Sequence, residues 1–103
     1  MVPKTLRILC EHFADEVDGV IEYVGDAMTV KKHDPDLAKA YLEMARQEYD
    51  HASKAHQWAC KYMDMACADT DSEMVHSIFE DKKQHMMKEL TKAKTYLEVY
   101  GGK

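Results

Sequence analysis

Two short interruptions divide the 103-residue chain into three long helical segments. In the segment KKHDPDL, Asp34 is a favourable N-cap and Pro35 a favourable first helical residue, so a helix is expected to begin near residue 35. In the segment ADTDSEM, Thr70 precedes Glu73 by three residues, the spacing of a capping box at the start of a further helix. The chain therefore has few places at which it can turn.

All three segments carry apolar residues at alternating spacings of three and four, and none has the alternation of a strand. The predicted fold class is all-α, a three-helix antiparallel bundle in a single domain of residues 1–103. Gly19 and Gly25 each weaken the first helix by about 1 kcal/mol relative to alanine, which is tolerable at a close helix contact. The predicted helices span residues 3–31, 35–68 and 71–100.

Charge and cysteine content restrict the classes of partner. A formal net charge of -5 provides no basic surface for nucleic acid or for an anionic membrane, and it favours cations. We find neither a signal-peptide pattern nor eighteen consecutive uncharged apolar residues, so a cytoplasmic location is expected. The three cysteines lack CxxC spacing, and we interpret them as reduced, partly buried thiols.

Polar residues interrupt two of the apolar stripes. The stripe of the second helix consists of Leu37, Tyr41, Met44, Glu48, His51, Ala55, Trp58 and Tyr62. Because these spacings place residues on one face of a helix, Glu48 and His51 are expected to point inward. Glu16 interrupts the stripe of the first helix in the same way. An unpaired carboxylate is costly to bury, so the three residues together indicate a metal, a positive partner or a raised pKa.

The same three residues are expected at one height in the bundle. Glu16 precedes a turn near residue 33 by about as many residues as Glu48 and His51 follow it. Counting from a second turn near residue 70 brings Glu89 to the height of His51, which makes it a fourth and weaker candidate. Carboxylates with an imidazole suit iron or manganese better than structural zinc, and bundles build such sites from Glu and Glu-x-x-His.

These residues resemble the ferritin-like superfamily, and more narrowly its rubrerythrin-type and encapsulated-ferritin branch. The resemblance covers roughly residues 6–66 and rests on EVDGVIEY, with Glu16 seven before Tyr23, and LEMARQEYDH, with Glu48 three before His51. It implies a di-iron centre that oxidises ferrous iron or reduces oxygen or peroxide. It further implies Glu16 as a terminal ligand, Glu48 as the bridging carboxylate, His51 as a terminal nitrogen ligand and Tyr23 as a neighbour of the centre.

The chain departs from this family because no second Glu-x-x-His follows the third helix. A homodimer would supply four carboxylates and two imidazoles and would complete a larger bundle, whereas Glu89 would instead close a mononuclear site within one chain. We expect the dimer. Iron is the expected metal, with manganese or another divalent metal as an alternative, and no nucleophilic motif or phosphate loop suggests other chemistry.

A second hypothesis is a non-catalytic interaction or adaptor module that keeps a ferritin-like framework. In that case Glu16, Glu48 and His51 form a buried hydrogen-bonded cluster, which Lys82 or Lys92 neutralises. The remaining histidines are interpreted as surface or helix-end residues, except for His85, which is a weak ligand candidate; they are His12, His33, His56 and His76.

Overall fold

Three helices and no strand form the part of the chain that the computed structural model describes, residues 2–101, with side chains from residue 4 onwards. The prediction of an all-α, three-helix fold is confirmed. None of these helices combines the length and hydropathy required to cross a membrane, over the residues described. The helices are α1 (Val2–Val30), α2 (Pro35–Ala68) and α3 (Glu73–Gly101).

Side-chain caps fix where α2 and α3 begin. The Asp34 carboxylate accepts a hydrogen bond of 3.0 Å from the Leu37 amide, and α2 has the predicted bounds. Helix α3 begins two residues later than predicted, because Ser72 rather than Thr70 caps it. The Ser72 hydroxyl accepts from the Val75 amide at 3.3 Å, whereas the Thr70 hydroxyl accepts from the Ser72 amide at 3.1 Å.

Helices α1 and α2 form an antiparallel hairpin, in which residues equally far from the turn face each other. Near the turn, Tyr23 stacks on Tyr41 with ring centroids 6.1 Å apart. Farther along, the rings of Phe13 and His56 lie 5.9 Å apart. The symmetric pairing means that a residue's distance from the turn sets its height in the hairpin.

Helix α3 runs back along α2, again antiparallel. Near the second turn Lys83 pairs with Asp64. At the far end the Arg46 guanidinium donates a hydrogen bond of 3.1 Å to the carbonyl of Gly101, the last residue of α3. The guanidinium thus pairs with a carbonyl that has no partner within α3. Its positive charge also lies at the negative end of the α3 dipole.

Small residues of α2 pack against larger residues of α1 and α3 in the core. The buried apolar residues are Phe13, Val17, Val20, Val24 and Ala27 from α1, Ala38, Ala45, Ala52, Ala55, Ala59 and Met63 from α2, and Met86, Leu90 and Ala93 from α3. Because an alanine side chain is short, it allows the neighbouring helix to approach closely. The alanines therefore set the core-facing side of α2.

The large apolar residues of the predicted α2 stripe do not face this core, which corrects the expectation that the stripe points inward. Leu37, Met44 and Trp58 are 40%, 38% and 51% exposed. Two residues along a helix are about 200° apart, so Met44 and the α3 contact Arg46 lie on nearly opposite sides of α2. The stripe thus faces away from α3.

We call this surface of the hairpin the outer face. It consists of Ile8, His12, Glu16 and Gly19 of α1 together with Leu37, Met44, Glu48, His51 and Trp58 of α2. The polar members lie near the middle of the hairpin, with apolar members towards both ends.

Candidate metal centre

Glu16, Glu48 and His51 meet at the middle of the outer face. Oε2 of Glu16 lies 3.7 Å from Nδ1 of His51. The Glu48 side chain reaches α1 at Gly19, where an added Cβ would lie only 2.8 Å from Glu48 Oε2. Gly19 follows Glu16 by three residues and shares its face, so both α2 side chains arrive at the same turn of α1. The structure brings together the three residues that the sequence placed at one height.

One carboxylate oxygen of this cluster is buried. Oε1 of Glu16 has no hydrogen-bond donor among the residues that the structure describes. Burial raises the pKa of Glu16; His51 counters part of this rise, and the nearby Glu48 carboxylate adds to it. A buried acceptor beside a second carboxylate has the electrostatic environment that a bound cation would stabilise.

The cluster is covered on the side of α1 and open on the other. The Glu16 side chain is 21% exposed, whereas that of His51 is 57% exposed. Within residues 2–101, no three His, Cys, Asp or Glu side chains of one chain are arranged to hold a metal ion. The carboxylate oxygens and the imidazole nitrogen are of the donor types that suit iron or manganese.

Glu89 is not part of this cluster. It lines a cavity of about 180 Å³ between α1 and α3, together with Asp18 and His85. Its Oε1 lies 4.0 Å from Nε2 of His85, one turn away on the same helix. Asp18 follows Glu16 by two residues and therefore projects from nearly the opposite side of α1. The cavity and the cluster thus lie on different sides of α1.

Tyr23 and His12 flank Glu16 on α1. Tyr23 lies about 10 Å farther along the helix axis, as expected for seven residues, and stacks on Tyr41 instead of meeting the cluster. His12 lies one turn before Glu16, and its charge lowers the pKa that burial raises. The sequence interpretation missed this role of His12, although the spacing of four residues from Glu16 was a signal for it.

His56 was interpreted as a surface residue, and this was wrong. The side chain is buried, with 9% of the residue exposed, and Nε2 lies 3.4 Å from Cys60 Sγ. Burial lowers the pKa of His56 and raises that of Cys60, so both groups are held in their neutral forms. The sequence feature that indicates the burial of His56 is its position between Ala52 and Ala59, in the row of small residues that faces the core.

The cysteines behave as predicted. Cys10, Cys60 and Cys67 are free, half-buried thiols. The Cys60–His56 contact satisfies the only buried histidine among the described residues, so we interpret this pair as structural.

The comparisons with known proteins do not extend these observations. No protein-family model matches the chain, and no curated protein or solved structure is significantly similar to it. The resemblance to ferritin-like proteins thus depends on the sequence spacing of Glu16, Tyr23, Glu48 and His51 alone.

Glu16→Gln is expected to raise the free energy of unfolding of the metal-free protein near neutral pH. Because the pKa of Glu16 is raised above its ordinary value of 4.5, the folded state binds more protons than the unfolded state between these two values. Stability therefore falls as the pH rises through this window, and the full penalty is present above it. Glutamine carries no charge, so the variant should lose this part of the pH dependence.

Urea unfolding of chelator-treated protein at about pH 4 and about pH 7 would measure the difference. Glu22→Gln is the matched control, because Glu22 is an exposed carboxylate on the same helix. A Glu16→Gln variant that is less stable than the parent near pH 7 would contradict the prediction.

Proposed function

We propose that this protein binds iron, or a similar divalent metal, through Glu16, Glu48 and His51, in a ferritin-like site that a second copy of the chain completes. The observation that supports this most directly is the buried Oε1 of Glu16, which has no donor among the described residues. A carboxylate in this state is costly unless a cation satisfies it. Nδ1 is the proposed donor atom of His51, since it is the nitrogen that faces Glu16.

The outer face supports a second copy of the chain as the partner. Ile8, Leu37, Met44 and Trp58 are large apolar residues that a single chain leaves exposed around the polar cluster. A second hairpin packed on this face by a two-fold axis would cover these residues and would double the donors to four carboxylates and two imidazoles.

Metal and dimer are expected to depend on each other. A two-fold axis through the outer face would bring the Glu16 and Glu48 carboxylates of both copies together. Their mutual repulsion opposes association unless a cation lies between them. Apolar burial alone would then give a weak dimer, and metal binding would strengthen it.

The proposed activity is ferroxidase or peroxide reduction. Iron bound at such a site supplies the redox chemistry with oxygen or peroxide. The chain itself contributes the two carboxylates, which neutralise the cation, and the imidazole, which completes the set of donors on the second helix. The apolar residues at either end of the outer face would exclude water from the assembled site.

The adaptor hypothesis remains as a second candidate, because the exposed apolar residues of the outer face also suit docking to another protein. Its proposed neutralisation by Lys82 has no support from the geometry. Lys82 lines the cavity between α1 and α3, on the other side of α1 from Glu16. A metal-free protein whose melting temperature does not change on chelation would favour the adaptor.

Metal analysis combined with native mass spectrometry tests the proposal. Protein loaded with ferrous iron without oxygen should form a particle of twice the 11.9 kDa chain mass, with about two iron ions per pair of chains. Trp58→Gln should shift the particle towards monomer and lower its iron content, because Trp58 is an exposed apolar anchor of the outer face.

Met74→Gln is the control, since Met74 is 72% exposed but lies on α3, away from the outer face. It should leave both the particle mass and the iron content unchanged. Full iron content in a monomeric Trp58→Gln protein would show that no second copy is needed.

A further inference from the structure

A separate pocket lies at the end of the bundle where α3 stops. The last residue of α3, Gly101, packs on Leu42, and a Cβ added to it would lie 3.0 Å from Leu42 Cδ2. Ala38 lies one turn nearer to the start of α2 and therefore beyond the end of α3. Among the described residues, the groove that α3 fills along α1 and α2 continues here as a pocket of about 130 Å³.

The pocket combines an apolar floor with a basic rim. Ala27 and Ala38 are buried at its floor, with Leu42 beside them. Lys31 and Lys39 lie at the rim. Over residues 4–101, no carboxylate lines the pocket, and the ion pairs that these residues form involve other side chains. This local positive charge contrasts with the net charge of -5 for the whole chain.

We propose that this pocket binds a small organic carboxylate whose apolar part is a single aromatic ring or a short acyl chain. The size limit follows from the volume, since a cavity of about 150 Å³ accommodates benzene. The floor of alanines and Leu42 would contact the apolar part, with the Tyr100 ring as one wall. The two ammonium groups would contact the carboxylate of the ligand. Without them, placing a charged carboxylate against an apolar floor would be costly.

The proposed ligand should bind weakly and in a charge-dependent way. A ligand of this size in a partly open pocket is expected to have a dissociation constant on the order of 1 mM. Each exposed ion pair contributes up to about fivefold in affinity, and charge reversal adds repulsion, so reversing both lysine charges should weaken binding by about tenfold. The pocket shares no residue with the outer face, so this proposal is independent of the metal proposal.

Benzoate and benzyl alcohol are suitable probes, because they share a ring but only benzoate carries a charge. In titrations of the full chain followed by amide chemical shifts, benzoate should perturb residues around Ala38 and Leu42 and should bind more tightly than benzyl alcohol. Raised salt should reduce this difference. Equal affinity for the two probes, or shifts that lie elsewhere on the protein, would overturn the proposal.

Two sets of variants separate charge from shape. Lys31→Glu with Lys39→Glu should weaken benzoate binding by about tenfold while leaving benzyl alcohol unchanged. The control pair Lys32→Glu with Lys94→Glu changes the net charge equally at exposed lysines that do not line the pocket, and it should retain most benzoate binding. Equal losses in both pairs would show that only the overall charge matters, which would also overturn the proposal.

Discussion

Replacing both Glu48 and His51 by alanine is expected to abolish ferrous iron uptake and to leave the helical content of the protein unchanged. Both side chains lie on the outer face, where Glu48 is half-buried and His51 is exposed, so neither fills the core. Even residues that only orient metal ligands commonly change affinity by about 10- to 100-fold, so losing two proposed ligands should lower it by more than about 100-fold.

The matched control is Glu43→Ala with His33→Ala, which removes the same residue types from exposed positions outside the cluster. Iron titration without oxygen, followed by metal analysis of the desalted protein, measures uptake. Far-ultraviolet circular dichroism measures helical content. Uptake that is equal in the double variant, the control and the parent protein would refute the proposed site.

Loss of uptake together with loss of helical content would have a different meaning. In that case Glu48 and His51 would support the fold, and the variant would not report on metal binding. Glu16→Gln then provides the second measurement, because it keeps the shape of the side chain and should be more stable than the parent when metal is absent. It should still lower iron uptake, since it removes one of the charged donors.

The sequence predicted helix boundaries well where one cap has no competitor. Asp34 and Pro35 form such a start, and α2 begins at the predicted residue. The start of α3 was less well defined, because Thr70 and Ser72 both have hydroxyl groups that can cap a helix. The hydrogen bonds show that Ser72 is the cap of α3. Which hydroxyl caps the helix depends on the path of the turn, which the spacing of residues in the sequence does not specify.

The sequence predicted how far along the bundle each residue lies. It did not predict which side of a helix faces its neighbours. A short turn makes the hairpin symmetric, so counting residues from it correctly placed Glu16 opposite His51. The same count brought Glu89 to a suitable height but carried no information on the rotation of α3 about its axis. The structure places Glu89 on the far side of α1, in the cavity with His85.

The predicted core face of α2 was wrong, because a hydrophobic pattern is dominated by large apolar side chains. The stripe with Met44 and Trp58 has the stronger hydrophobic pattern, but the alanine row permits closer packing against α1 and is the one buried. The same error assigned His56 to the surface, since its neighbours in the row are small. A stripe of large apolar residues that the chain itself leaves exposed is instead a signal for association.

Gly25→Ala is expected to stabilise the protein without changing iron binding, whereas Gly19→Ala is expected to lower iron affinity with little change in stability. Both glycines lie inside α1, where alanine is favoured by about 1 kcal/mol. A Cβ at Gly25 meets nothing within 4 Å, so Gly25→Ala should raise the free energy of unfolding by about that amount and leave iron uptake unchanged. It therefore reports on helix propensity alone.

At Gly19 the new methyl group would occupy the space that the Glu48 carboxylate uses. The distances from the added Cβ are 2.8 Å to Oε2 and 3.2 Å to Cγ of Glu48. Both atoms belong to the flexible side chain of Glu48 and neither to the backbone of α2, so Glu48 can turn away while the helices stay in place. The metal-free protein should therefore remain about as stable as the parent. A metal ligand displaced by about 1 Å binds far less well, and we expect iron affinity to fall by about tenfold or more.

Urea unfolding of the metal-free variants and iron titration, run side by side, distinguish the two proposed functions. If the protein is an adaptor without a metal, neither variant differs from the parent in iron uptake, and Gly25→Ala changes stability alone. If Glu48 is a ligand, only Gly19→Ala lowers uptake, without an equivalent loss of stability. A Gly19→Ala variant destabilised by more than about 1 kcal/mol would indicate that α1 and α2 move apart instead of Glu48 turning away, and the close approach at Gly19 would then serve packing.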